Sequence, residues 1–156
     1  MPVLAPDLEL QHLLDDPYEA IVPAGHPLAK RRQISLAQLS EEPWVASSDL
    51  GGCRAIMEML CREAGFEPRV AFEVDETTAV QALVAAEVGV TLLPRLALSA
   101  VHPGVVVRRV TESPLRRVWA ARLEGAYPSP AADAMLQILQ DVAEEFREAE
   151  LELAAG

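Results

Sequence analysis

The sequence lacks the clustered residues on which most active sites and metal sites depend. Its 156 residues include only two cysteines and three histidines, and the histidines are scattered at positions 12, 26 and 102. A metal site needs such ligands close together. No G-x-S-x-G, H-E-x-x-H or phosphate-loop pattern is present either. We therefore expect no catalytic residue, no metal site and no cofactor, and we do not expect an enzyme.

Basic residues and long apolar runs are scarce as well. The chain has 13 basic and 24 acidic residues, which gives a net charge of −11. Affinity for phosphate backbones depends on Lys and Arg, so this chain is not expected to bind nucleic acid. No stretch approaches the roughly 18 apolar residues of a membrane span, and residues 1–16 lack the basic and apolar regions of a secretory signal. The sequence thus predicts a cytoplasmic location and no membrane partner.

Aromatic residues make up only 4% of the chain, whereas 51% of it is apolar. The core must therefore consist mainly of Val, Leu and Ala, which suits helices packed on a parallel sheet. Residues 44–93 show the clearest pattern, and it predicts alternating strands and helices. The predicted order is a strand at Trp44–Ala46, a helix from Cys53 ending at a left-handed Gly65, a strand at Arg69–Val74 with Val70, Phe72 and Val74 on one side, a helix with a Thr78/Gln81 capping box stopped by Gly89, and a strand at Val90–Leu93.

Further elements flank this region. Strands are predicted at Tyr18–Val22, Val105–Val110 and Val118–Leu123, with a short helix at Arg95–Ala100. A long helix begins near Pro130, and its apolar stripe contains Met135, Leu139, Val142, Phe146 and Leu153. The sequence therefore predicts an α/β fold with a mostly parallel sheet flanked by helices.

Two predicted helix starts follow strands and should meet at the carboxyl edge of the sheet, where open α/β folds bind ligands. Free N–H groups and a partial positive charge at these helix starts favour a small anion. The candidate binding residues are Ser47, Ser48, Gly51, Gly52, Thr77 and Thr78. Their hydroxyls could equally serve only to cap the helices. Glu73, Asp75 and Glu76 could form an acid–base group, although acids are common at helix starts.

Several short segments resemble, in the same order, the effector-binding domain of LysR-type transcriptional regulators. They are YEAIVPAGHPLA (18–29), ISLAQL (34–39), PWV (43–45), REAG (62–65) and QALVAAEVGVTLLP (81–94). The resemblance runs from about Leu8 to Phe146. It implies a periplasmic-binding-protein-like (type 2) fold of two lobes, with the effector in the cleft between them.

The resemblance also implies a division of the chain. Residues 17–118 would form the second lobe, and residues 1–16 and 119–156 would form the crossing strands and closing helix of the first lobe. The family's winged helix-turn-helix is absent, as are the opening segments of the first lobe, so DNA would be contacted only through a missing N-terminal domain. We expect the uncovered apolar surface on Val118–Leu123 and Met135–Phe146 to be buried by self-association, as a homodimer or a higher oligomer.

The function predicted on this basis is that of a sensor for a small-molecule effector. Two alternatives stay open from the sequence: the solute-binding lobe of a transport system, and a thiol-based redox sensor of the same family. Peroxide-sensing members carry two cysteines near the same helix, and Cys53 and Cys61 resemble them without matching their spacing. Eight residues along a helix separate these cysteines by about 12 Å, too far for a disulfide unless the helix unwinds.

Overall fold

The structure, a computed structural model, describes residues 7–47, 53–111, 114–125 and 129–155. Short 3-10 helices cover Pro27–Lys30, Leu36–Leu39 and Arg95–Leu98. The strands and α-helices follow one another as β1 (Leu8–Pro23), β2 (Gln33–Ile34), β3 (Pro43–Ser47), α1 (Cys53–Glu63), β4 (Arg69–Val74), α2 (Thr77–Ala85), β5 (Thr91–Pro94), β6 (Val105–Val110), β7 (Leu115–Leu123) and α3 (Pro130–Ala155). The chain divides into two compact units: a central unit, Pro17–Arg116, and a flanking unit, Met1–Asp16 with Arg117–Gly156.

The strands of the central unit pair in both directions. The second half of β1 is antiparallel to β5 and to β6, whereas β2 is parallel to β6. A separate parallel pair joins β3 to β4, and Trp44 forms a parallel bridge with Val90 just before β5. The pairing is therefore mixed rather than mostly parallel, because the long strand β1 runs against both of its neighbours in the central unit.

Two apolar clusters build the core of the central unit on opposite faces of β3. On one face Trp44 and Ala46 pack with Met57, Leu60 and Cys61 of α1. On the other face Val45 packs with the α2 residues Val80 and Val84. Alternate residues of β3 thus face different helices, as the two-residue period of a strand requires. Strand β3 is therefore held between α1 and α2.

Strand β4 departs from the alternation that its sequence predicts. Its register with β3 shifts between Trp44 and Val45, which leaves one extra residue on β4. Val70 consequently joins the α1 cluster while Val74 joins the α2 cluster, and Phe72 is 51% exposed. The prediction that Val70, Phe72 and Val74 share one side is wrong, because a bulge reverses the faces of all residues after it.

The end of α1 matches its prediction. Gly65 has a φ of +93°, the left-handed conformation that glycine adopts without steric cost. The N–H of Phe66 then donates to the carbonyl of Cys61 over 3.0 Å, which closes the Schellman-type end of the helix. The Phe66 ring also lies 6.0 Å from the ring of Trp44, centre to centre. A local signal, glycine after an apolar period, was sufficient here.

The ends of α2 differ from their prediction. The residue before the helix is Glu76, and no side chain caps the first turn, so the predicted Thr78/Gln81 capping box does not form. Gln81 is instead buried, with Nε2 donating to the carbonyl of Ala100 and Oε1 accepting from the N–H of His102. The helix ends at Ala85, before Gly89, and the left-handed residue that follows is Glu87, with a φ of +60°.

The flanking unit contains the first half of β1, strand β7 and helix α3. Leu13, Leu14 and Ala143 are buried there against Val118, Ala120 and Phe146. Much of the predicted apolar stripe of α3 is exposed, and Leu153 lies outside the described side chains. Among the described residues of this unit, the exposed large apolar side chains are Trp119, Leu123, Met135, Ile138, Leu139 and Val142.

Candidate functional site

The carboxyl ends of β3 and β4 lie side by side. Because the two strands are parallel and Ser47 is opposite Val74, both strands end at the same edge of the sheet. Helix α2 begins three residues after Val74, so Ser47 and Thr77 follow adjacent strand ends. Both residues are partly buried, and Thr78 is exposed. Three other predicted site residues, Ser48, Gly51 and Gly52, lie outside the described residues.

The start of α2 offers hydrogen-bond donors rather than a closed cap. Glu76 is extended and its side chain makes no capping bond, and the first helical bond runs from the N–H of Val80 to the carbonyl of Glu76. The Thr78 hydroxyl reaches a Glu76 carboxylate oxygen only at 3.5 Å. Peptide N–H groups of a first turn are left without helical partners, and they attract anions. The first turn of α2 therefore keeps peptide N–H donors of the kind that hold small anions in proteins.

An arginine stands at the same edge, and the sequence analysis did not single it out. Arg54 is the second residue of α1; its Nε donates to Oε1 of Glu58 over 2.8 Å and its Nη1 pairs with Glu73 on β4. Two hydrogen bonds raise the pKa of Arg54 above its ordinary value: the bond to Glu58 contributes most, and the bond to Glu73 contributes next. The Arg54/Glu58 spacing is a visible helix signal. The contact with Glu73 depends on the register of β4 and has no such signal.

The acidic group beside this edge does not resemble an acid–base pair. Glu73 is held in an ion pair by Arg54, and Glu76 is exposed at the start of α2. Among the residues that the structure describes, no group of three or more His, Cys, Asp or Glu side chains could hold a metal ion. The described groups at this edge are the donors at the start of α2 and one guanidinium paired with carboxylates.

Two cavities lie away from the predicted site. A groove of about 410 Å³ in the flanking unit runs between Leu10, Ala120 and Leu136, beside the Arg122–Glu9 ion pair. A recess of about 300 Å³ in the central unit is lined by Gly25, His26, Glu42, Glu87 and Gly89, among others. The His26 ring accepts a hydrogen bond from the N–H of Leu28 and contacts Glu42 at 3.1 Å, which explains its place in the turn. Neither cavity is lined by Ser47, Thr77 or Thr78.

The two cysteines of α1 carry free thiols in different surroundings. Cys53 is partly buried, and Cys61 is fully buried. Burial raises the pKa of the Cys61 thiol to about 12, with Glu67 and Glu58 acting in the same direction. Since the thiolate is the reactive form, Cys61 is unreactive near neutral pH. This argues against the thiol-based sensor that the sequence left open.

We expect iodoacetamide at pH 8 to alkylate Cys53 while Cys61 of the folded chain reacts at least about a hundredfold more slowly. The raised pKa sets the sign: Cys61 stays protonated as the pH rises through the usual thiol range, and ionises only near pH 12. Peptide mass spectrometry measures both rates, and the urea-unfolded chain, in which the two rates should converge, is the control. Equal rates in the folded chain, or a two-dalton loss linking the thiols after mild peroxide, would restore the redox hypothesis.

No helix in the described part of the chain is long and apolar enough to cross a membrane.

Comparison with known proteins identifies the family. The model of the LysR substrate binding domain matches residues 1–144. The transcriptional dual regulator GltC of Bacillus subtilis (strain 168) is 32% identical over 108 residues, which are 69% of this chain and 36% of GltC. The chain thus spans little more than a third of that relative's length.

Solved structures agree with the family model. The CcmR regulatory domain of Synechocystis PCC6803, in complex with 2-PG, has a TM-score of 0.78 and 25% identity, over 92% of this chain and 70% of that one. The effector binding domain of QuiR in complex with shikimate has a TM-score of 0.73 and 25% identity, over 93% of this chain and 69% of that one. The predicted resemblance and fold class are thereby confirmed: the chain belongs to the LysR substrate-binding-domain family and has its α/β, periplasmic-binding-protein-like fold.

Proposed function

We propose that this chain is the effector-sensing region of a LysR-type transcriptional regulator and works in the cytoplasm. Its role is to bind a small, anionic molecule and to pass that signal through an oligomer to a DNA-binding domain outside this chain. It performs no catalysis. The observation that carries the proposal is the meeting of Ser47 and the uncapped start of α2 at one sheet edge. Solved members of the same family carry 2-PG and shikimate.

The division of the chain supports a role for each part. The central unit corresponds to the second lobe of the family fold, and the flanking unit to the crossing strands and closing helix of the first. On this assignment the candidate site belongs wholly to the second lobe. It comprises Ser47, Thr77 and Thr78, together with Ser48, Gly51 and Gly52.

Local donors can attract an anion despite the net charge of −11. Hydroxyl and N–H groups act at contact range, whereas distant surface charges are screened beyond about 8–10 Å at physiological salt. Hydrogen bonds to a charged ligand contribute roughly 1.5–3 kcal/mol each. After the cost of ordering the ligand, two or three such bonds give about millimolar affinity.

The test is a titration of the ¹⁵N-labelled chain with small carboxylates and phosphates, among them 2-PG and shikimate, followed by amide chemical shifts. We expect at least one of these anions to shift the amides of Ser47, Thr77 and Thr78 with a dissociation constant of about 1 mM. Removing two hydroxyls with Ser47→Ala and Thr77→Val should weaken binding about tenfold or more, because each contributes one charge-assisted bond.

A matched control tests the position of the site. Ser40 follows the 3-10 helix Leu36–Leu39 and precedes β3, so it lies towards the opposite end of that strand from Ser47. Ser40→Ala removes the same hydroxyl and should leave the affinity unchanged within about twofold. If Ser40→Ala weakens binding as much as Ser47→Ala, or if no anion shifts these amides, the proposed site is wrong.

Self-association is proposed from the flanking unit. Six large apolar side chains there are between 41% and 64% exposed: Trp119, Leu123, Met135, Ile138, Leu139 and Val142. Apolar surface of this extent is usually covered by a partner. We propose that a homodimer or a higher oligomer covers it.

A further inference from the structure

Arg54 sits in a charge network that crosses from α1 to β4. Going outwards from the sheet edge, Glu73 pairs with Arg54, Arg54 with Glu58, and Glu58 with Arg62. The Arg54 side chain is 32% exposed and Glu73 is 49% exposed, so both can be reached by a solute. Two carboxylates share this one guanidinium, and Glu73, on the sheet side, is the more exposed of the two and therefore the one that a solute can more easily displace.

The network adjoins the candidate site. Glu73 immediately precedes Val74, which lies opposite Ser47, and Arg54 belongs to the first turn of α1. Glu73 is paired with Ala46, whose side chain packs in the α1 cluster. Glu73 therefore belongs to the face of the sheet that α1 covers, which is where Arg54 meets it. Val74 and its partner Ser47 face α2, so an anion held at Ser47 and Thr77 would reach this ion pair only around the strand ends.

The guanidinium keeps donors for a ligand. Its Nε serves Glu58 and its Nη1 serves Glu73. Among the described residues, Nη2 has no hydrogen-bond partner. If Glu73 moves aside, Nη1 and Nη2 together present the parallel pair of N–H donors that binds a carboxylate or phosphate in two places. The hydrogen bond from Nε to Glu58 would stay in place and keep the guanidinium group oriented.

We propose that Arg54 is the residue that selects an anionic effector, and that Glu73 competes with the effector for it. This inference rests on the proposed function, because it deepens the chemistry of the same site. The effector's anionic group replaces the Glu73 carboxylate on Nη1. Glu73 thereby sets the concentration at which the effector is sensed, and its release loosens the tie between α1 and β4.

The test measures the affinity of 2-PG and of inorganic phosphate for the ¹⁵N-labelled 156-residue chain, in wild type and in three variants. Glu73→Gln should tighten binding about five- to tenfold, because the guanidinium loses its competitor. Arg54→Gln should weaken it at least tenfold, and Arg54→Lys should weaken it as well, since an ammonium cannot form the two-point contact. Circular dichroism shows that each variant is folded.

Glu67→Gln is the matched control. Glu67 contacts Arg62 at 3.5 Å and is 74% exposed, and the substitution removes the same charge as Glu73→Gln. It should change affinity by less than about twofold, because an exposed charge beyond the C-terminal end of α1 is screened. If Glu67→Gln and Glu73→Gln tighten binding equally, or if Arg54→Gln binds like wild type, the inference is overturned and the site at Ser47 and Thr77 survives. If no variant binds either anion, the inference is overturned, and the site at Ser47 and Thr77 is judged by the wider set of carboxylates and phosphates above.

Discussion

Replacing Gly89 with alanine should destabilise the central unit by about 3 kcal/mol. A Cβ on Gly89 would lie 2.5 Å from the carbonyl oxygen of Pro43 and 2.9 Å from its carbonyl carbon. These are backbone atoms, and they cannot turn away as a side chain could. The same carbonyl accepts a 2.8 Å hydrogen bond from the N–H of Val90. The N–H of Val45 in turn donates to the carbonyl of Val90 over 2.9 Å. Relieving the clash would therefore break the bridge between β3 and the start of β5.

Two other glycines are graded controls for this substitution. Gly25→Ala brings its Cβ only to an ordinary contact of 3.7 Å with a Glu87 oxygen, so we expect a change within about 0.5 kcal/mol. Gly65→Ala meets nothing within 4 Å, but φ is +93°, and the left-handed conformation should cost about 1–2 kcal/mol. Urea unfolding followed by Trp44 fluorescence, in a Trp119→Phe background, measures the series. If Gly89→Ala costs no more than Gly65→Ala, the close approach to Pro43 is wrong.

Gly89 also shows where sequence reasoning stops. Its position after an apolar helical period predicted a helix stop, yet the helix ends at Ala85. The reason for glycine is a strand 46 residues earlier, whose backbone passes too close for any side chain. Helical periodicity holds no information about such a neighbour. Gly65, in contrast, was predicted correctly because both its cause and its partner lie within one turn of α1.

In the candidate site, too, some features follow from local sequence signals and others depend on long-range contacts. Placing the ends of β3 and β4 at one edge needed only the rule that strands joined by a helical crossover run parallel. That rule placed Ser47 beside the end of β4, and the register agrees, since Ser47 is paired with Val74. It could not supply the Arg54–Glu73 pair, whose members are 19 residues apart and meet only because the β4 register places Glu73 beside α1. For the same reason the sequence could not predict that β1 is antiparallel to β5 and β6, since long-range pairing determines these partners.

Replacing Gln81 with leucine should cost about 2 kcal/mol, although leucine suits a buried helix face better than glutamine does. The Gln81 side chain is 2% exposed. Its Nε2 donates to the carbonyl of Ala100 over 3.1 Å, and its Oε1 accepts from the N–H of His102 over 2.8 Å. Leucine would remove both hydrogen bonds, and each contributes about 1 kcal/mol, because Ala100 and His102 are exposed and water can reach their backbone groups. The segment that leads from the 3-10 helix at Arg95–Leu98 into β6 would lose its anchor to α2.

Thr78→Ala separates this network from the capping box that the sequence predicts. A real capping box would lose about 1 kcal/mol with the threonine hydroxyl. Among the residues that the structure describes, that hydroxyl meets only the exposed Glu76, at 3.5 Å, so Thr78→Ala should change the free energy of unfolding by less than about 0.5 kcal/mol. Urea unfolding of both variants, again followed by Trp44 fluorescence, gives the comparison. A Thr78→Ala cost equal to that of Gln81→Leu would mean that Gln81 reaches back to its own helix start. The expected result, a clearly larger cost for Gln81→Leu, would mean that Gln81, although it matches a local helix signal, holds a loop 19 residues away.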